Sequence, residues 1–276
     1  MKQLNLNIIL ALSLFALLAC DANEFDPNTT DVVIIEAYLY EGEPVTNVKV
    51  SQLIPFVAEE DASYAINDAE ISIIWNDQHY PLTLSPGDSG YYHYPGTELE
   101  VKIGETYRIE LEYFGKLVSA TTTVPPGPEG LVLSGTQFEV PPIESFFDLR
   151  NRNIENIEIY WDNNDASHHY VLIENIEDNP SPVDVNNILG EFRRGNFQLI
   201  TRPTNLDVYN VRGQTLDQYG TYRVKLFKVN QEYVDLYETS EQDSRSLNEP
   251  LSNVENGLGI FTSFSYDAVF FEVIKP

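Results

Sequence analysis

Three short stretches and one dispersed set carry residue types that do chemistry. The first is Gly87-Asp88-Ser89-Gly90, an order found around some serine nucleophiles. Such a serine needs a base and an acid that orients it. Only His79 lies upstream, close in sequence rather than in a motif of its own, and Pro86 precedes the stretch, so Ser89 reads as part of a hairpin turn. The second is His168-His169, a possible zinc pair. Neighbours on a strand point to opposite faces, so both cannot reach one metal from there. His79 and His93 stand alone, and a zinc site would need distant carboxylates. The third, Asp162-Asn163-Asn164-Asp165, offers oxygen ligands for calcium but lacks the glycine and the downstream glutamate of an EF-hand loop. It reads as a solvated turn. The fourth is the carboxylate set itself, since paired acids cleave glycosides. With 43 acidic residues some pair falls at a suitable distance by chance. Tyrosines in "GYYHYPG" could stack on a sugar or peptide, or serve as half core and half cover. The expectation is a protein that is not an enzyme, with no catalytic, cofactor-binding or metal residue.

The most informative reactive side chain is Cys20, the only cysteine. Lys2 and the apolar run Ile8–Ala19, broken only by Ser13, have the layout of an export signal over residues 1–19. The run is shorter than the roughly 20 residues a membrane-spanning helix needs. It ends in Leu17-Leu18-Ala19-Cys20, which resembles a bacterial lipobox, so Cys20 is expected to become a lipidated N-terminus. Several acyl chains, at about 0.8 kcal/mol per buried methylene, give stable attachment. Asp21, Glu24 and Asp26 follow, making residues 20–30 an acidic tether. Such a stretch resembles the signal for the outer face of the outer membrane in Bacteroidota-type bacteria.

The net charge of −27 disfavours nucleic acid and anionic headgroups as partners. A chain 42% hydrophobic and 12% aromatic is expected to pack cores rather than stay disordered.

The elements that must position these residues read as strands. "DVVIIEAYLY" places Val33, Ile35, Ala37 and Leu39 on one face, and "TYRIELEY" places Tyr107, Ile109, Leu111 and Tyr113 on one face. "AEISIIW" sets Ile71, Ile73 and Trp75 together before an Asn76-Asp77 turn. "VPPGPEG" reads as a linker, extended by "VPP" at 140–142. Beyond it, Ile157, Ile159 and Trp161 share a face. "TLDQYGTYRVKLFKV" sets Leu216 six residues before Tyr222, a spacing that resembles the tyrosine corner of fibronectin type III domains. "QEYVDLYETSEQDS" is expected to form a short helical insertion. The expected architecture is all-β, with two tandem β-sandwich domains. Residues 31–124 form an immunoglobulin- or transthyretin-like sandwich, 125–142 a linker, and 143–276 a fibronectin type III-like domain.

Larger blocks carry a family resemblance: "VVIIEAYLYEGEPVTNVKVSQ", "INDAEISIIWNDQHYPLTL", "SGYYHYPG", "IGETYRIELEYFGKLVSATTTVPP" and "NEPLSNVENGLGIF". Together they resemble a Bacteroidota outer-membrane lipoprotein family carried as a domain of unknown function. The last block resembles its Ser-Asn-Ile-x-Asn-Gly-Leu-Gly-x-Phe motif through Ser252, Asn253, Asn256, Gly257, Leu258, Gly259 and Phe261, with Val254 at the isoleucine position. The resemblance implies a surface lipoprotein acting as a non-catalytic partner of a TonB-dependent outer-membrane receptor in nutrient uptake. It carries over no catalytic residue. Gly257 and Gly259 are expected to permit special backbone conformations, and Asn253 and Asn256 to bond local backbone before the final strand. An adhesive or structural surface role, or an unrecognised hydrolase, are the alternatives.

Overall fold

Two-residue alternation, with one face of each strand apolar, builds most of the chain into sheets. The computed structural model describes residues 32–53, 64–151, 154–186, 195–240 and 252–276. The expected signal peptide, acidic tether and Cys20 lie outside these residues.

The first half contains β1 (Val33–Tyr40), β2 (Val48–Gln52), β3 (Ile71–Trp75), β4 (Gln78–Pro81), β5 (Thr83–Leu84), β6 (Tyr91–His93), β7 (Thr106–Tyr113) and β8 (Lys116–Thr123). Next come β9 (Glu129–Leu133), β10 (Gln137–Glu139) and a short helix, α1 (Phe146–Asn151). The remainder holds β11 (Ile157–Asp162), β12 (His168–Asn175), β13 (Gln198–Ile200), β14 (Val208–Val211) and β15 (Gly220–Val229). Helix α2 (Gln231–Ser240) and the long β16 (Leu258–Ile274) complete it. The protein is an all-β sandwich fold, and α2 falls where the helical insertion is expected.

Strands β4-β3-β7-β8 form one sheet and β14-β11-β9 another. Both lie against a nine-stranded sheet of order β13-β12-β15-β16-β1-β2-β6-β5, with β10 also on β16. Two cores result. Ile35, Leu39, Ile73, Tyr107, Ile109 and Phe261 belong to the first. Ile157, Trp161, Val171, Tyr222, Leu226 and Phe271 belong to the second.

The expected boundaries differ from this arrangement in two places. The span 125–142 is not a bare linker: it contains β9 and β10, and Leu131, Phe138 and Val140 are buried in the second core. Strands of three to five residues among prolines and glycines show too little alternation to be seen as strands. The division into 31–124 and 143–276 is also crossed by β16. Its first part runs parallel to β1, from Ile34 opposite Leu258 to Tyr40 opposite Phe264. Its second part is antiparallel to β15, from Phe264 opposite Val229 to Val273 opposite Gly220. A single strand therefore closes both sandwiches.

Candidate functional site

The family-like motif sits where β16 enters the first sandwich, and each of its residues has a local task. The Asn253 amide acts as a strand partner: its Nδ2 donates to the Phe261 carbonyl at 2.7 Å and its Oδ1 accepts from the Phe261 N–H at 3.0 Å. Ser252 Oγ accepts from the Val254 N–H at 3.2 Å. Asn256 takes a left-handed φ of 57°, a conformation asparagine tolerates. Its Nδ2 donates to the Leu117 carbonyl on β8 at 2.8 Å, so its bond is long-range where a local one is expected. Gly259 has φ 106°, and a Cβ there would collide with the Ile35 carbonyl oxygen. At Gly257 a Cβ would stand 3.0 Å from both the Val33 carbonyl oxygen and Val118 Cγ1. Phe261 is fully buried in the first core. The motif is thus a clamp that seats β16 between β1 and β8.

Leu216 and Tyr222 are both fully buried in the second core, and the Tyr222 hydroxyl donates to the Gln218 carbonyl at 2.8 Å. The first sandwich has a counterpart that sequence reasoning missed. The Tyr107 hydroxyl donates to the Glu100 carbonyl at 2.6 Å and accepts from the Lys102 N–H at 2.9 Å. Its signal, a tyrosine heading a strand after a Gly-Glu turn, was present in "IGETYRIELEY".

Where the halves meet, polar and aromatic residues interlock. Thr262, Ser263, Phe264 and Ser265 are consecutive and all buried, because β16 passes from one core to the other there. Their hydroxyls are satisfied: Ser263 Oγ lies 2.9 Å from Thr122 Oγ1, Thr262 Oγ1 donates to Glu232 Oε1 at 3.1 Å, and Ser265 Oγ donates to the Pro126 carbonyl at 2.9 Å. Asn230 adds a bond from Nδ2 to the Thr123 carbonyl at 3.0 Å. Beside them, Tyr170, Phe227, Val229, Val234 and Phe264 form a third apolar cluster, with Tyr38, Tyr40 and Tyr233 against it. Tyr170 and Phe227 stack at 4.6 Å, as do Tyr40 and Phe264 at 5.1 Å. Burial, followed by the Glu36 charge, pushes the Tyr38 hydroxyl up to about 12. Burial likewise raises Tyr40, Tyr170 and Tyr233. These phenols stay neutral, as a packed junction requires.

A cleft of about 530 Å³ opens beside this junction, between the Glu41–Val45 loop and the Tyr94–Ile103 segment. Val45, Leu99 and Val101 give it apolar walls, while Glu41, Glu43, Glu100 and Lys102 ring it with charge. Glu43 of this lining pairs with Lys225 of the second half, whose Nζ lies 3.2 Å from Glu43 Oε1 and 4.2 Å from the Tyr266 ring centre. Such a cleft can hold a ligand by apolar contact and hydrogen bonds.

The residues first weighed for chemistry are dispersed. His79 and Ser89 are both exposed, and His93 Nδ1 is 2.9 Å from Ser85 Oγ. His168 and His169 face opposite ways: His169 is buried against Trp161, with ring centres 5.9 Å apart. Burial, then the Lys228 charge, lowers its pKa to about 4. In the 162–165 loop Asn163 Nδ2 donates to the carbonyls of Ser167 and Asn205. Asp165 is held well below the usual carboxylate range by Lys228 at 2.8 Å and by Ser167. Ser167 Oγ donates to Asn163 Oδ1 at 3.1 Å and to Asp165 Oδ1 at 2.7 Å, so local hydrogen bonds engage these two oxygens. Among the described residues no group of three His, Cys, Asp or Glu is placed to hold a metal.

Residues 22–268 match the family described as a domain of unknown function, DUF4249. The chain belongs to this family. No curated protein matches it. Among solved structures, the chain is similar to the FN1-FN3 domains of chicken CNTN1 at 8% identity, with 86% of this chain and 66% of that one covered and a TM-score of 0.28. It is also similar to domains A168-A170 of titin at 12% identity, covering 88% of this chain and 67% of that one, with a TM-score of 0.19. The clamp, the two tyrosine corners and the junction described above all lie within the DUF4249 match.

Proposed function

We propose that this chain is a lipid-anchored, non-catalytic binding module on the outer face of the outer membrane, docking as an accessory onto a TonB-dependent receptor barrel. Cys20 is the anchor in this reading. The observation that carries it is an exposed apolar patch at the end of β16 remote from the start of β1. Val140 N–H bonds the Ile274 carbonyl there, and the chain then runs to Phe146 and Phe147, which are 68% and 78% exposed. Exposed Val185 is tied to the same corner through its N–H bond to the Ile143 carbonyl. Adjacent exposed aromatics of this kind act as interface anchors. Covering both would supply about 3–5 kcal/mol.

Purification of the tagged lipoprotein from outer membranes in mild detergent tests the reading. A barrel is expected in near-stoichiometric amount with the native chain, and at least about tenfold less with Phe146→Ser/Phe147→Ser. Recovery of the native lipoprotein alone would overturn it and favour an adhesive role.

A further inference from the structure

The hairpin joining β7 to β8 ends in an unusual residue. Tyr113 pairs with Lys116, leaving Phe114-Gly115 as a two-residue loop. Their φ values are 48° and 69°, the left-handed pair that selects Asn-Gly, Asp-Gly or Gly-Gly. The β3–β4 hairpin has the same loop length and similar φ values, 51° and 61°, but fills it with Asn76 and Asp77. A bulky ring at positive φ is strained, so the turn itself does not select Phe114. Nor does packing: Phe114 is 66% exposed, and Leu117 beside it is 54% exposed. Tyr113 meets the Phe114 ring edge-on at 4.7 Å. A strained and exposed aromatic is explained by something outside the fold.

The tip's place in the molecule says what that is. Asn256 bonds Leu117, and Val33 and Val118 both approach Gly257. The start of β1 and the base of this hairpin therefore share one end of the first sandwich. About a dozen residues separate β1 from Cys20, a reach of at most about 40 Å. We propose that the Phe114 tip, with Leu117 and Tyr113, is a membrane-interface anchor seated in the headgroup region of the bilayer that holds Cys20. This rests on the lipid-anchor reading above. One aromatic tip is too weak to hold a protein on a membrane by itself, but the tether keeps its local concentration high. Asp68, Glu70 and Glu112 line a groove just below the tip, so seating is shallow and suits zwitterionic lipid.

The test uses the mature lipidated protein in phosphatidylcholine vesicles, with Phe114→Cys carrying a nitroxide and Asp77→Cys as control. Asp77 belongs to the turn at the opposite end of the same sheet. The Phe114 label is expected to be reached by oxygen and shielded at least threefold, relative to the Asp77 label, from a water-soluble nickel relaxant. Equal nickel access at both sites, with the vesicles still carrying the protein, overturns the proposal and leaves the anchor standing. Protein that fails to float with vesicles and lacks acyl mass at Cys20 overturns both. As a second arm, Phe114→Asn should raise the melting temperature in detergent-free solution while exposing a Leu117→Cys label to nickel in vesicles. A fall in melting temperature with no change at Leu117 would give Phe114 a purely structural role and overturn the proposal.

Discussion

At the scale of single residues, pH acts most directly through His169. Its ring is buried, its Nδ1 has no partner among the described residues, and its pKa is lowered to about 4 from 6.5. An unfolded chain takes up this proton near pH 6.5, whereas the folded protein refuses it until about pH 4. Between those values the unfolded state binds more protons, so stability rises with pH through the window and falls as acid is added. The expected loss from pH 7 to pH 4 is at most about 3 kcal/mol. Carboxylates contribute slopes of their own, so the check is a difference: denaturant midpoints of the native chain and His169→Phe, measured across the window. The native curve should fall more steeply, and parallel curves would assign the acid sensitivity elsewhere. The aromatic neighbours behave differently. Tyr38 at about 12 is far above this range and contributes no slope to it.

At the scale of elements, the clamp on β16 sets the expectation. Asn253→Ala removes both bonds to the Phe261 backbone and leaves a partly buried carbonyl and N–H unpaired. The expected loss is about 2 kcal/mol, read as a lower denaturant midpoint at unchanged slope. Asn253→Asp keeps the acceptor but not the donor, so an intermediate value is expected. The elements also show what a sequence exposes and what it hides. The faces of β1, β3, β7 and β11 are legible because alternate residues differ in polarity over at least five positions. Helix α2 is legible from its composition, and Leu216 with Tyr222 from their spacing. The parallel partner of β1 is not legible, because hydrogen-bond pairing leaves no mark in either strand. The 41–45 cleft was hidden for the same reason: its two walls are far apart in the chain and meet only through tertiary packing. Strands β9 and β10 were masked by prolines that belong to the turns around them.

At the scale of the whole molecule, the shared strand couples the two cores. A domain that lends no strand to its neighbour can unfold alone, but losing β16 opens both sandwiches here. Calorimetry should therefore show a single transition whose calorimetric and van't Hoff enthalpies agree. Two resolved peaks would mean that the junction of Thr122, Ser263 and Glu232 is too weak to unite the halves. The parallel pairing of Ile34 with Leu258 also bears on how the chain assembles. Parallel strands require a crossover, and this one encloses more than about 200 residues, which makes the closing step intrinsically slow. A chain delivered from its N-terminus presents β1 and its antiparallel neighbour β2 early, yet the strand that covers the other edge of β1 is made more than about 200 residues later. The first sandwich stays open along that edge until β16 is delivered. During that interval the β16-facing side of β1 is an unsatisfied strand edge bearing an alternating apolar face, the kind of surface on which extended chains associate. The aggregation hazard of this protein thus belongs to the time before β16 arrives, and whatever escorts the chain must cover that edge of β1 until then.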